Sequence, residues 1–157
     1  MADEKSMACA KQVYENMCKA LDEKGCNFDT DEPKLVIYFG VKGDDFPMQF
    51  IIAVDAERQV IRLMSPLPFE MSASKRVEGA LAVCAASLGM VDGSFDYDLS
   101  DGKIIFRMTA SFRDSQIGDE LFHYMIACSG AMVEKYNEKF FAIDKGLLSI
   151  EDFIADC

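Results

Sequence analysis

At 157 residues, 50% hydrophobic and 27% charged, the chain has the length and composition of one globular domain and excludes disorder. Its 27 acidic against 16 basic side chains leave a formal charge of −11. That charge repels phosphate backbones and no Lys/Arg-rich stripe offsets it, so no nucleic acid is expected as a partner.

The six cysteines, at 9, 18, 26, 84, 128 and 157, show no CxxC pair and no zinc-knuckle spacing. Cys18, Cys84 and Cys128 fall on apolar helical positions, where a reduced thiol acts as a small hydrophobe. The first residues, MADEKSMACAKQ, are charged and lack the apolar core of a secretion signal. The longest uncharged run, residues 79–91, is too short to span a bilayer. The expectation is a reduced, cytoplasmic protein with no membrane contact.

In chain order, residues 6–24 read as a helix. Met7, Ala10, Tyr14, Met17, Cys18 and Leu21 recur at three-four spacing, and Gly25 stands where a left-handed terminator belongs. CNFDTDEP leads into three runs, KLVIYFGVK, PMQFIIAVDA and QVIRLMS, which read as consecutive strands rich in Val, Ile, Phe and Tyr. Period two puts Leu35, Ile37, Phe39 and Val41 on one face, and Val36, Tyr38 and Gly40 on the other. The next strand sets Met48, Phe50, Ile52 and Val54 against Gln49, Ile51, Ala53 and Asp55. The second face is therefore partly apolar as well.

Two prolines in SPLPFEM predict a break, after which Ser72 or Ser74 can cap a helix. In that helix Val77, Leu81, Cys84 and Leu88 make one face, and Gly79, Ala82, Val83 and Ala86 make the opposite, small-residue face. A helix apolar all round is buried on more than one side, and small residues suit close approach of a helix or a second subunit. Residues 93–112 alternate as a strand pair in which Asp101-Gly102 supplies the positive φ of the turn. From about 115 to 144 a long helix carries the stripe Ile117, Leu121, Tyr124, Met125, Cys128, Ala131 and Met132, drifting to Tyr136, Phe140 and Ile143. Ser149 then caps a short terminal helix. The pattern predicts a single α+β domain over residues 1–157 in the order α-β-β-β-α-β-β-α-α.

No catalytic constellation emerges. His123 is the only histidine and no Ser or Cys is placed by a motif to use it as a base. The glycines form no dinucleotide or Walker loop. The clusters Asp29/Asp31/Glu32, Asp44/Asp45 and Asp96/Asp98/Asp101 lack calcium-loop spacing and read as turn carboxylates. No enzyme activity, metal or cofactor is expected. The residues that invite a role are those that would put apolar surface in water: Val36, Tyr38, Ile51 and Ala53 on the second sheet face, and Gly79, Ala82 and Ala86 on the small-residue helix. They are the expected partner-binding set.

From LGMVDGSFDYDLSDGKIIFR through to GLLSIEDFI the chain resembles the YbjN family of bacterial proteins. The shared features are the small-residue helix, the F-D-Y-D strand, the D-G turn, the I-x-F-R strand, the long helix and the closing G-x-x-S-x-E-D-x-I. They cover residues 75–157, with the earlier part matching as a pattern. The resemblance implies a type III secretion chaperone-like fold with helices on a twisted antiparallel sheet, a tendency to homodimerise, and a regulatory role without a defined reaction. The expected function is that of a non-enzymatic regulatory or chaperone-like protein that binds a client protein. The alternative is a small-molecule sensor with a pocket between the sheet and the long helix.

Overall fold

The computed structural model describes residues 2–157. Helix α1 runs Glu4–Glu23 and is capped by Asp3, whose carboxylate accepts the Ser6 N–H. It buries Ala10, Val13, Tyr14, Met17, Ala20 and Leu21, while Met7 faces water. Gly25 closes it at φ +68°.

Next come β1 (Asp29–Asp31), β2 (Val36–Val41), β3 (Met48–Asp55) and β4 (Val60–Glu70). Strand β1 lies in the segment expected to be a lead-in. It is only three residues long and acidic, too short for any alternation to show, and is held by pairing Asp29, Thr30 and Asp31 with Tyr38, Ile37 and Val36. The expected break at SPLPFEM is also corrected. Strand β4 continues through both prolines to Glu70 because a bulge between Pro66 and Glu70 absorbs them.

A single turn, Ala73–Lys75, precedes α2 (Arg76–Leu88). Neither Ser72 nor Ser74 caps that helix through its side chain. Strands β5 (Ser94–Tyr97) and β6 (Lys103–Ser111) form the expected hairpin, with Phe95 opposite Phe106. Its loop holds four residues between Asp98 and Lys103, and Gly102 sits at its end with φ +82°. A Cβ at Gly102 would lie 2.3 Å from the Met71 carbonyl oxygen, so the glycine also permits a close backbone crossing. Helices α3 (Asp119–Asp144) and α4 (Ile150–Ala155) complete the chain, and Ser149 caps α4 by accepting the Asp152 N–H.

The six strands make one antiparallel sheet in the order β1-β2-β3-β4-β6-β5. Ile37, Phe39, Phe50, Ile52, Ile61, Leu63, Ile104 and Phe106 point from it into the core and are at most 9% exposed. Helices α1, α2 and α3 contribute Tyr14, Met17, Ala82, Val83, Phe122, Met125, Tyr136 and Phe140 to the same core. Rings of Phe95, Phe106, Tyr136, Phe140 and Phe153 join hairpin, α3 and α4 through centroid distances of 5.1 to 6.2 Å. All the core side chains of the sheet thus point one way, and the helical layer is on that side.

Two helices sit differently from their predicted orientation. In α2 the small face, Gly79, Ala82, Val83 and Ala86, is buried, and the larger Val77, Leu81, Cys84 and Leu88 are exposed. A Cβ at Gly79 would come within 2.8 Å of both Met71 Cγ and the Tyr97 hydroxyl, so a bulky face cannot turn inward there. In the first half of α3 the buried positions are Phe122, Met125, Ser129 and Val133, and Leu121, Tyr124 and Ala131 are exposed.

Candidate protein-binding surface

The period of two that buries one side of β2, β3, β4 and β6 presents a second side that lies outside the packed core. Across β2, β3, β4 and β6 this side carries Val36 and Tyr38, then Ala53 and Ile51, then Arg62 and Met64, then Thr109 and Arg107, paired in register. Ile105 lies beside Pro66 at the next step. Val36, Ile51, Ala53, Met64 and Ile105 are half-buried, and Tyr38 is 40% exposed. A shallow depression between Asp29, Tyr38, Gly40, Gln49 and Ile51 gives the surface relief near β1.

Charges frame this apolar centre and pair off. Arg107 donates to both oxygens of Asp96, at 2.6 and 3.0 Å, across the β5–β6 hairpin. Both side chains are nearly half exposed, so the pair adds register more than stability. At the opposite end Asp55 accepts from the Arg58 N–H and guanidinium, at 2.9 and 3.1 Å, with Arg62 nearby at 3.9 Å. The Arg58 N–H, working against burial and aided by the two guanidiniums, holds the Asp55 carboxyl below the ordinary carboxylate range. Four of the seven residues singled out from the sequence, Val36, Tyr38, Ile51 and Ala53, are therefore brought together on one open surface. The other three are not with them. Gly79, Ala82 and Ala86 are inside the chain, where α2 meets its own hairpin and helices, because only small side chains fit that approach. Period-two reading finds Met64 and Ile105 as readily as Val36, and both belong to the surface.

The pocket expected between sheet and long helix is filled. Phe50, Phe106, Phe122 and Phe140 occupy that space at no more than 1% exposure. At Gly130 an added Cβ would already be in contact with Phe50 Cζ at 3.9 Å. A cavity of about 350 Å³ lies elsewhere, between the end of α2 and α3, lined by Met90, Cys128, Met132, Lys135 and Tyr136 among others. Burial pushes the Cys128 thiol up, which keeps it protonated rather than nucleophilic. Cys84, expected on a buried stripe, is exposed. His123 is half-buried beside the Phe122 ring, and Glu134 of the same helix accepts the Asp44 N–H at 2.9 Å. Among the described residues, no group of three or more His, Cys, Asp or Glu side chains could hold a metal ion, and no helix is long and apolar enough to cross a membrane.

A one-sided antiparallel sheet with four helices, in this order, defines an α+β fold of the YbjN-like, type III secretion chaperone-like class. No family model and no curated protein matches the chain. Among solved structures, it is similar to YbjN from E. coli, provisionally described as a transcription regulator. The TM-score is 0.59 at 14% identity, over 78% of this chain and 86% of that one. It is also similar to a chain of the HopA1–SchA chaperone–effector complex, with a TM-score of 0.54 at 14% identity over 88% of this chain and 99% of that one. At this identity the likeness concerns the fold.

Proposed function

We propose that the chain is a non-enzymatic, chaperone-like or regulatory protein of the bacterial cytoplasm, working as a homodimer that binds a client protein. The observation that carries this reading is the second sheet face, where Val36, Tyr38, Ile51, Ala53, Met64 and Ile105 meet solvent outside the packed core. An apolar centre framed by polar groups is the anatomy of a protein interface. The similarity to a chain of a chaperone–effector complex supports the same reading. The net charge of −11 opposes nucleic acid as the partner. No cofactor or metal enters this function.

The test is site-specific photo-cross-linking in living cells. A photoreactive phenylalanine analogue in place of Tyr38 is expected to give discrete protein adducts, and one in place of Lys19 on α1 is not. Ile51→Asp should abolish the Tyr38 adducts while leaving the circular dichroism spectrum unchanged. Adducts from Lys19 alone, or none from Tyr38, would overturn the client-binding face.

A further inference from the structure

The cavity of about 350 Å³ beside the end of α2 and the middle of α3 is lined by sulfur to an unusual degree. Of the chain's six cysteines and ten methionines, Cys128, Cys157, Met90 and Met132 all border this one space. Cys128 and Met132 stand four residues apart on α3, so they share a face one turn apart, a spacing at which two side chains can hold one ion. Met90 follows α2 and borders the same space, its N–H donating to the Ser87 carbonyl at 3.2 Å. Ala85, Ala86 and Gly89 add little bulk to the wall beside it. We infer that this cavity is a binding site for copper(I), held by the Cys128 thiolate and the Met132 and Met90 thioethers.

Donor chemistry selects the ion. Thiolate and thioether sulfurs are soft ligands that suit copper(I), whereas zinc draws on thiolate, imidazole and carboxylate. Among the described residues no three His, Cys, Asp or Glu side chains gather to serve zinc, and here it is the thioethers that complete a set. The walls are also held in place without the metal. Tyr124 of α3 donates to Asp92, which ties the segment carrying Met90 to the long helix. Lys139 pairs with Asp156, which ties the segment carrying Cys157 to the same helix. Access is graded as an entry path requires: Met90, Cys128 and Met132 are half-buried, and Cys157 is exposed as a fourth sulfur that can receive the ion from solvent. Binding replaces one proton. The Cys128 S–H bond breaks, the sulfur–copper bond forms, the proton leaves to water, and the copper stays in its monovalent state. None of these residues belongs to the sheet face, so the site is independent of client binding.

Anaerobic competition between the reduced full chain and bicinchoninate for copper(I) tests it. The wild type should withhold one equivalent per chain far more tightly than any later one. Cys128→Ser should weaken that first equivalent by roughly 100-fold or more, and Met90→Leu and Met132→Leu by about tenfold each. Leucine conserves the methionine volume, so both Leu variants are expected to fold and keep the test open if Cys128→Ser does not. Cys26→Ser and Cys84→Ser should leave the first equivalent unchanged, because neither residue borders the cavity. X-ray absorption at the copper edge should show sulfur neighbours alone, fewer of them in Met132→Leu. A wild type that yields all its copper to the chelator, a tight equivalent that survives Cys128→Ser, or one that ignores both Met variants and so reports scattered thiols would overturn the inference. Photo-adducts at position 38 are expected to be the same in Met132→Leu as in the wild-type background, so failure of either reading is seen separately.

Discussion

Asp144 shows how much one side chain holds together. It ends α3 and is 4% exposed, yet its Oδ1 accepts the Ser72 N–H at 2.7 Å and its Oδ2 meets Lys145 at 2.9 Å. Burial alone would raise this carboxyl. The Ser72 N–H and Lys145 outweigh burial and leave it below the ordinary carboxylate range. A carboxyl with a depressed folded pKa adds stability above its unfolded value, near pH 4, and that stability is lost as pH falls through the folded value. Asp144→Asn keeps an acceptor for Ser72 but removes the charge. It is expected to unfold about 1 to 2 kcal/mol more easily at pH 7. The difference from wild type should shrink as urea midpoints are taken down to pH 3. A gap that stays constant with pH would show that the charge is not what stabilises the contact.

At the scale of the element, α2 is governed by space more than by hydrophobicity. Its inner positions Gly79, Ala82 and Ala86 touch other parts of the chain, and its outer positions carry the larger side chains. Ala82→Leu is therefore expected to cost about 1 to 3 kcal/mol by overpacking, although it adds apolar volume to the core. Leu88→Ala on the outside should stay within about half a kcal/mol in the monomer. Denaturant midpoints at low concentration check both. The same helix marks where sequence reading stops. With both faces apolar, periodicity has no polar side from which to orient it, and only the neighbours Met71 and Tyr97 decide which face turns in. In α3 the buried stripe includes Ser129 and Asn137, so an apolar pattern shifts by one residue onto Leu121 and Tyr124. Strands β2, β3, β5 and β6 were legible because alternation survives in each of them. The open surface was legible for the same reason, since Val36, Tyr38, Ile51 and Ala53 break a clean polar side. Strand β1 and the proline half of β4 depend on pairing partners that local pattern does not contain.

For the whole molecule, all six cysteines are free, at positions spread from α1 to the last residue. Cys18 and Cys128 are partly buried, and burial raises both thiols, which slows their oxidation. Thiol titration in denaturant without reductant should recover six per chain, and four or fewer would contradict a reduced native state. The one-sided layering has a further effect during synthesis. Strands β2 to β4 are complete by Glu70, and their core side carries Phe39, Phe50, Ile52, Ile61 and Leu63. The helix that covers much of that side, α3, is finished only at Asp144, 74 residues later (144 − 70). At about 5 to 20 residues per second, this sheet waits roughly 4 to 15 s with only α1 and then α2 available to its core side and with its second face open. One of those faces is covered when α3 arrives. The growing chain therefore presents more apolar surface in that interval than the finished fold does, so a molecule that we read as a chaperone is itself most exposed before its own long helix is made.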